Sequence, residues 1–322
     1  MQIKNFKIDH NLRELTEHRT VELPIACYET TINQNINGYI PLHWHDEFQF
    51  VLIRKGEAVF QINEEKLAVQ EGEGLFINSG CLHMAEDKHH SGCVYLCLNV
   101  SPQFVLPQEL NANYVYPYLH ATNLPYVYLN AHEPWGNNIL DAISKIHQWI
   151  TQKTPYYEID INLQLTFIWK NLIVNGFPLE YDQTAMVKSE RMKQMLQWIH
   201  LHYAENIRLD DIARAGQLSR SECCRYFKRM LKTTPLSYVL AYRIQKSLVL
   251  LQHADANVTE VSYQVGFNST SYFIDKFRQT MNMTPFAYKK SSLNKEQPES
   301  RGIINEQEYT LHSLEHRKKE IR

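Results

Sequence analysis

The C-terminal third of this chain repeats itself, and that repeat limits what it can fold into. Leu209-Asp-Asp-Ile-Ala213 is answered 49 residues later by Val258-Thr-Glu-Val-Ser262. Ser219, Phe227 and Thr234-Pro235 are answered 50 residues later by Ser269, Phe277 and Thr284-Pro285. A repeat at this period points to one supersecondary unit used twice. Each copy reads as a short helix, a turn with a glycine (Gly216, Gly266), a second helix and a Thr-Pro pair. Two short helices joined by such a turn form a helix-turn-helix, and the second copy has one extra residue in its turn.

The second helix of each copy shows two faces. Ser219-Arg-Ser-Glu222 fits a capping box, with Ser as N-cap and Glu at the third helical position. Cys223 and Phe227, four apart, can face inward, as can Phe273 and Phe277. Arg220, Ser221, Cys224, Arg225 and Lys228 remain for the outer face of the first helix, with Glu222 beside them. Ser269, Thr270, Ser271, Ile274 and Arg278 remain for the second, with Asp275. Thr before Pro starts a helix, because Thr caps it and the missing proline N–H costs nothing at the first position. The helix from Pro235 to about Leu251 joins the copies, with Leu236, Leu240, Ile244 and Leu248 as its expected buried stripe. At 1.5 Å per residue it spans ~25 Å, which sets two readers near one DNA turn apart.

Charge divides the chain the same way. Residues 1–183 hold 11 Lys/Arg against 21 Asp/Glu, residues 184–290 hold 16 against 8, and residues 291–322 hold 6 of each. A basic helical segment behind an acidic domain points to a polyanion, here double-stranded DNA. No run of about 18 apolar residues is present, so no membrane span is expected. Met1–Leu12 lacks the apolar block of a secretory signal, and the six cysteines include no CxxC pair. Reduced thiols in a cytoplasm are the expectation.

The helical third resembles the AraC/XylS family of transcription regulators. The resemblance is carried by Val261-Ser-Tyr-Gln-Val265-Gly266-Phe267, then Ser271-Tyr272-Phe273, Phe277-Arg278, Thr284-Pro285 and Tyr288. It implies two recognition helices in successive major-groove segments. Ser221, Cys224 and Arg225 of the first and Thr270, Ser271 and Ile274 of the second would then face DNA. The chain departs from the family in Asp275, where Arg is frequent, and in Lys232 and Asn282, where Gly commonly ends the helix.

The N-terminal part reads differently. Val21–Tyr28, Phe48–Arg54, Ala58–Ile62, Leu75–Ile77 and Val94–Val100 are short β-prone runs between turns, the pattern of a sandwich or barrel. Residues 101–135 look irregular, and helical periodicity then runs over 137–152 and 156–175. His43-Trp-His45 with Gln49 and Gly56, then Gly72, Gly80, His83 and Asp87, resembles the two cupin motifs. Gln49 stands where those motifs carry an acid, and Asn78 where they carry Pro. His43, His45 and His83 are the residue types that bind Zn, Fe or Mn. With Gln49 in place of a carboxylate, the expectation is a metal-free barrel without cofactor. His43, His45, Gln49 and His83 then mark an effector pocket. Trp44, Phe48, Phe50, Phe60 and Phe76 are inward candidates; such a lining suits a sugar or another small molecule, and equally an ordinary core.

These observations predict an α+β protein. A cupin-like sensor barrel spans 1–135, a helical dimerisation segment 136–178, a linker 179–188, an AraC-type DNA-binding domain 189–290 and a flexible tail 291–322. The expected function is a homodimeric, effector-responsive regulator, an activator that contacts RNA polymerase, without catalysis. Two rivals stand beside it: a cupin metalloenzyme with an accessory helical domain, and a regulator whose N-terminal domain only dimerises.

Overall fold

The computed structural model describes residues 8–9, 12–20, 22–35, 38–252, 255 and 257–295, with the side chains of His90 and residues 292–295 left aside. The expected tail therefore lies outside the described residues beyond Lys295.

Among the described residues nine strands build the N-terminal domain: β1 Ile25–Thr31, β2 Ile40–His43, β3 Phe48–Lys55, β4 Glu57–Ile62, β5 Glu65–Gln70, β6 Gly74–Ile77, β7 His83–Asp87, β8 Val94–Val100 and β9 Tyr126–Leu129. They form two antiparallel sheets, ordered β1-β8-β3-β6-β9 and β2-β7-β4-β5. Val51, Ile53, Phe60, Ile62, Leu75 and Ile77 fill the space between them. The region expected to be irregular contains helices α1 Gln108–Tyr114 and α2 Tyr116–Leu119, besides β9.

Two helices, α3 Pro134–Gln152 and α4 Tyr157–Ile173, cover the outer face of the larger sheet. Period-2 geometry sends alternate β3 side chains to opposite faces. Phe48, Phe50 and Leu52 point at α3 and α4, whereas Val51 and Ile53 point inward. Phe48 stacks on the fully buried Trp169, with centroids 4.9 Å apart. The expectation of an aromatic barrel interior thus holds for Phe60 alone. Phe48, Phe50 and Phe76 belong to the helix-facing layer. Trp44 faces away from the barrel, with Lys193 Nζ 4.0 Å from its ring centroid.

The C-terminal domain is α5 Gln183–His202, α6 Leu209–Ala215, α7 Arg220–Met230, α8 Pro235–Leu251, α9 Val258–Gln264, α10 Thr270–Met281 and α11 Pro285–Lys295. Helix α5 starts inside the expected linker because Asp182 caps it, accepting from the Thr184 N–H. Two separate cores form. Met192, Met195, Leu196, Ile212, Cys223, Phe227 and Val239 hold the first helix-turn-helix. Ile244, Leu248, Val261, Val265, Phe273 and Phe277 hold the second. On α8 the stripe runs through Val239, Ile244 and Leu248, while Leu236 is exposed.

Candidate nucleic-acid interface and the histidine cluster of the barrel

Helices α7 and α10 sit in equivalent settings. The Ser219 hydroxyl accepts from the Glu222 N–H, and the Ser219 N–H donates to the Glu222 carboxylate, completing the capping box. The hydroxyls of Thr234 and Thr284 cap α8 and α11. Lys232 (φ 54°) and Asn282 (φ 55°) both take the left-handed conformation after their helices, so the lysine tolerates the place of glycine.

The two turns differ from their sequence alignment. Leu218 donates to the Ala213 carbonyl, and Phe267 donates to the Ser262 carbonyl, an offset of 49. Gln217 (φ 54°) therefore corresponds to Gly266 (φ 91°), and Gly216 corresponds to Val265. The extra residue is Asn268, just before the N-cap. Gly266 is required twice over, since a Cβ there would lie 2.8 Å from the backbone of Tyr203 and Ala204. Gly216 is a packing glycine, where a Cβ would meet Met195 Cγ at 2.7 Å.

Cys223, Phe227, Phe273 and Phe277 are buried, which turns the opposite faces of α7 and α10 outward. Ser221, Arg225, Lys228, Ser271, Ile274 and Arg278 are exposed there, and Cys224 is half-buried. Three other candidates are engaged within the protein. Arg220 pairs with Asp210 of α6. The Ser269 hydroxyl caps α10. The Thr270 hydroxyl lies 3.1 Å from that of Ser262. Asp275 accepts from Gln279, which leaves a carboxylate on the outer face of α10.

In the barrel, His43 and His83 are register partners across β2 and β7, with ring centroids 4.2 Å apart. Of His43 and His45, expected on one strand, His43 ends β2 and His45 follows it, held where the Gly80 N–H donates to its carbonyl. Gln49 reaches over from the opposite sheet, its Oε1 3.0 Å from His45 Nε2 and 2.9 Å from His83 Nε2. The four residues named from the sequence are thus brought together and buried. Asn78, in place of Pro, donates to the Tyr118 and Leu124 carbonyls, and Asp87 accepts from the N–H groups of Gly92 and Cys93. Both are structural.

Sequence reasoning missed two members of the cluster. Glu14 and His18 come from the segment before β1, and their side chains are 1% exposed. His18 Nε2 lies 3.1 Å from Glu14 Oε2, and Asn99 Nδ2 lies 3.0 Å from His18 Nδ1. Burial pushes the Glu14 carboxyl up, but the hydrogen bond and charge of His18, with Thr16 and His45, outweigh it and leave the pKa lowered. Burial drives His43 down to about 3 and His83 well below its ordinary value. Burial, then His18, lowers His45. A carboxylate therefore faces the neutral imidazoles of His43, His45 and His83. The cavity among them is about 20 Å³, room for one water-sized occupant and not for a sugar.

The barrel also meets the DNA-binding domain. Leu12 and Leu82 are buried in the same apolar cluster as Met192, Met195 and Phe227. Gln61 Nε2 donates to the Met230 carbonyl at the end of α7 (2.6 Å), and Arg229 of α7 pairs with Glu64 of the β4–β5 turn at 2.5 Å. A cleft of about 250 Å³ opens at this junction, lined by Tyr39, Gln61, Met84, His200, Tyr238 and Tyr242 among others.

A two-sheet barrel joined to paired helix-turn-helices defines a DNA-binding class of protein. Comparison with known proteins gives the family. Residues 27–112 match the AraC-like ligand binding domain, and residues 212–291 match a helix-turn-helix domain. The chain is 74% identical over 288 residues to the HTH-type transcriptional regulator YdeC of Bacillus subtilis (strain 168), covering 89% of this chain and 99% of that one. It is 22% identical over 254 residues to the HTH-type transcriptional activator RhaS of Escherichia coli (strain K12 / DH10B), covering 76% and 86%. Among solved structures, ToxT from Vibrio cholerae is 16% identical, with 83% of this chain and 97% of that one covered and a TM-score of 0.41. The chain belongs to the AraC family of HTH-type transcriptional regulators.

Proposed function

We propose that this protein is an effector-responsive activator, acting in the cytoplasm as a homodimer that grips promoter DNA through α7 and α10. The observation that carries the effector reading is the junction. Because Leu12 and Leu82 of the barrel share the core of the first helix-turn-helix, and Gln61 holds the end of α7, a shift in the barrel must move a recognition helix or break these contacts. The junction cleft, about 250 Å³ with a mixed aromatic and polar lining, is nearer to a small-molecule site than the barrel interior of about 20 Å³. The dimer reading is supported by α4, where Ile159 (59% exposed), Leu163 (65%) and Phe167 (40%) form a solvent-facing stripe at helical spacing. The enzyme reading loses ground because paired helix-turn-helices need no catalytic partner. RNA polymerase is the expected partner at the promoter.

Genome-wide mapping of bound DNA, combined with deletion of the gene, tests this. Transcripts beside bound sites should fall in the deletion strain. Transcripts that rise there would refute the activator assignment, and an absence of discrete bound sites would refute promoter binding.

A further inference from the structure

Gln49 removes the acid that an imidazole site needs, and sequence alone therefore argued for a metal-free barrel. The structure supplies an acid from elsewhere. Glu14, thirty-five residues before Gln49, enters the cluster from the segment that precedes β1. The ligand atoms of His43, His45 and His83 lie within 4.8 Å of one another, and so do those of Glu14, His18 and His45. The two sets share His45.

Three features fit a cation here. First, the three rings are already oriented. Nδ1 of His43 donates to the Pro41 carbonyl (2.7 Å), Nδ1 of His45 to that of Glu47 (3.2 Å) and Nδ1 of His83 to that of Cys81 (2.8 Å). Each Nε2 is thereby turned to the interior, those of His45 and His83 against Gln49 Oε1 and that of His43 toward Glu14 Oε2, and an Nδ1–H on a backbone carbonyl is the arrangement that orients metal-binding histidines. Second, Glu14 Oε1 is fully buried without a hydrogen-bond partner, although buried carboxylates ordinarily fill their lone pairs. No Lys or Arg lies within 4.0 Å of Glu14 among the described residues. Third, Glu14 Oε2 stands 3.6 Å from His43 Nε2. Two ligands of a tetrahedral zinc ion, each about 2.0–2.1 Å from it, lie roughly 3.3 Å apart, so the pair is close to a ligand edge.

We propose that this cluster binds one divalent transition-metal ion, with His43, His45 and His83 as imidazole ligands and Glu14 as the carboxylate ligand. His18 is a positioning residue that holds the Glu14 carboxylate, backed by Asn99. Gln49 gives up its place against His45 and His83 when the ion enters. Imidazole with carboxylate suits Zn²⁺, Fe²⁺ or Mn²⁺.

The site also joins the ion to the DNA-binding domain. Glu14 donates its N–H to the Trp44 carbonyl, and Trp44 donates to the Leu12 carbonyl. Leu12 is buried against the α5 core, and Trp44, between two of the ligands, faces Lys193 of α5. Drawing Glu14 onto an ion thus seats the segment 12–18 against α5. This step goes beyond the effector reading and stands independently of it.

The experiment uses the full chain, stripped with chelator and titrated with Co²⁺, read by visible absorption and by elemental analysis. One ion per chain is expected, displaced by Zn²⁺. Glu14→Gln should weaken binding at least ~10-fold, and His18→Asn should weaken it less, as loss of an orienting partner does. Zn²⁺ should also protect the backbone amides of residues 12–18 of the unmutated protein from hydrogen exchange, which keeps the test valid if a variant fails to fold. Failure to retain an ion overturns the proposal. So does wild-type affinity in folded Glu14→Gln, or unchanged exchange at residues 12–18. Because every readout is metal binding, a failure here leaves promoter binding untouched, and the reverse.

Discussion

Replacing Arg225 with alanine is expected to relax base preference at one or two operator positions while leaving the fold intact. Arg225 lies two residues before the fully buried Phe227, about 200° around the helix from it, so it points away from the core. Among the described residues no carboxylate lies within 4.0 Å of it, in contrast to Arg220, whose guanidinium is taken by Asp210. Truncating an exposed side chain of this kind changes stability by about 0.5 kcal/mol or less. In the complex the same guanidinium can take guanine O6 and N7 together, worth ~1–3 kcal/mol against a wrong base. That is a loss of discrimination of about 5- to 150-fold. On α10 Asp275 carries no such donor, so α7 should hold more of the specificity. The assay is competition binding of operator variants, one base pair changed at a time, at several salt concentrations. If Arg225→Ala weakens every DNA equally and lowers the salt slope by about one, Arg225 is a phosphate clamp and the reasoning fails.

Further outcomes follow from the other surfaces. Leu163→Asp, placed on the exposed stripe of α4, should convert a micromolar dimer to monomer in sedimentation; an unchanged dimer would move the interface elsewhere. Phe273→Ala empties the centre of the second helix-turn-helix core and should cost ~3–5 kcal/mol, with exchange protection lost in α9–α11 and kept in α6 and α7. Uniform loss across both units would mean that the cores are not separate. Gln61→Leu leaves the Met230 carbonyl without its donor, a loss of ~1–3 kcal/mol at the junction, and should raise the rate of proteolysis between barrel and α7.

The C-terminal unit was legible in the sequence because its determinants are local. Caps act within four residues, and the buried pairs Cys223/Phe227 and Phe273/Phe277 sit one helical turn apart. Even there, residue matching paired Gly216 with Gly266, whereas hydrogen bonding pairs Gln217 with Gly266, because turn conformation and residue type are different things. The barrel was legible only in outline. Phe48–Ile53 is buried on both faces, so its run of apolar residues carried no period to tell which face held the helices and which held the cavity. The one polar break in that run was the useful signal. Gln49 at an otherwise apolar strand centre must find partners inside, and it finds His45 and His83. Glu14 gave no comparable signal, because its segment is extended and irregular and its partners lie up to β7. A buried carboxylate in such a segment persists only if something compensates its charge. His18 meets part of that requirement at Oε2, and the unpartnered Oε1, rather than any motif, is what points to an ion.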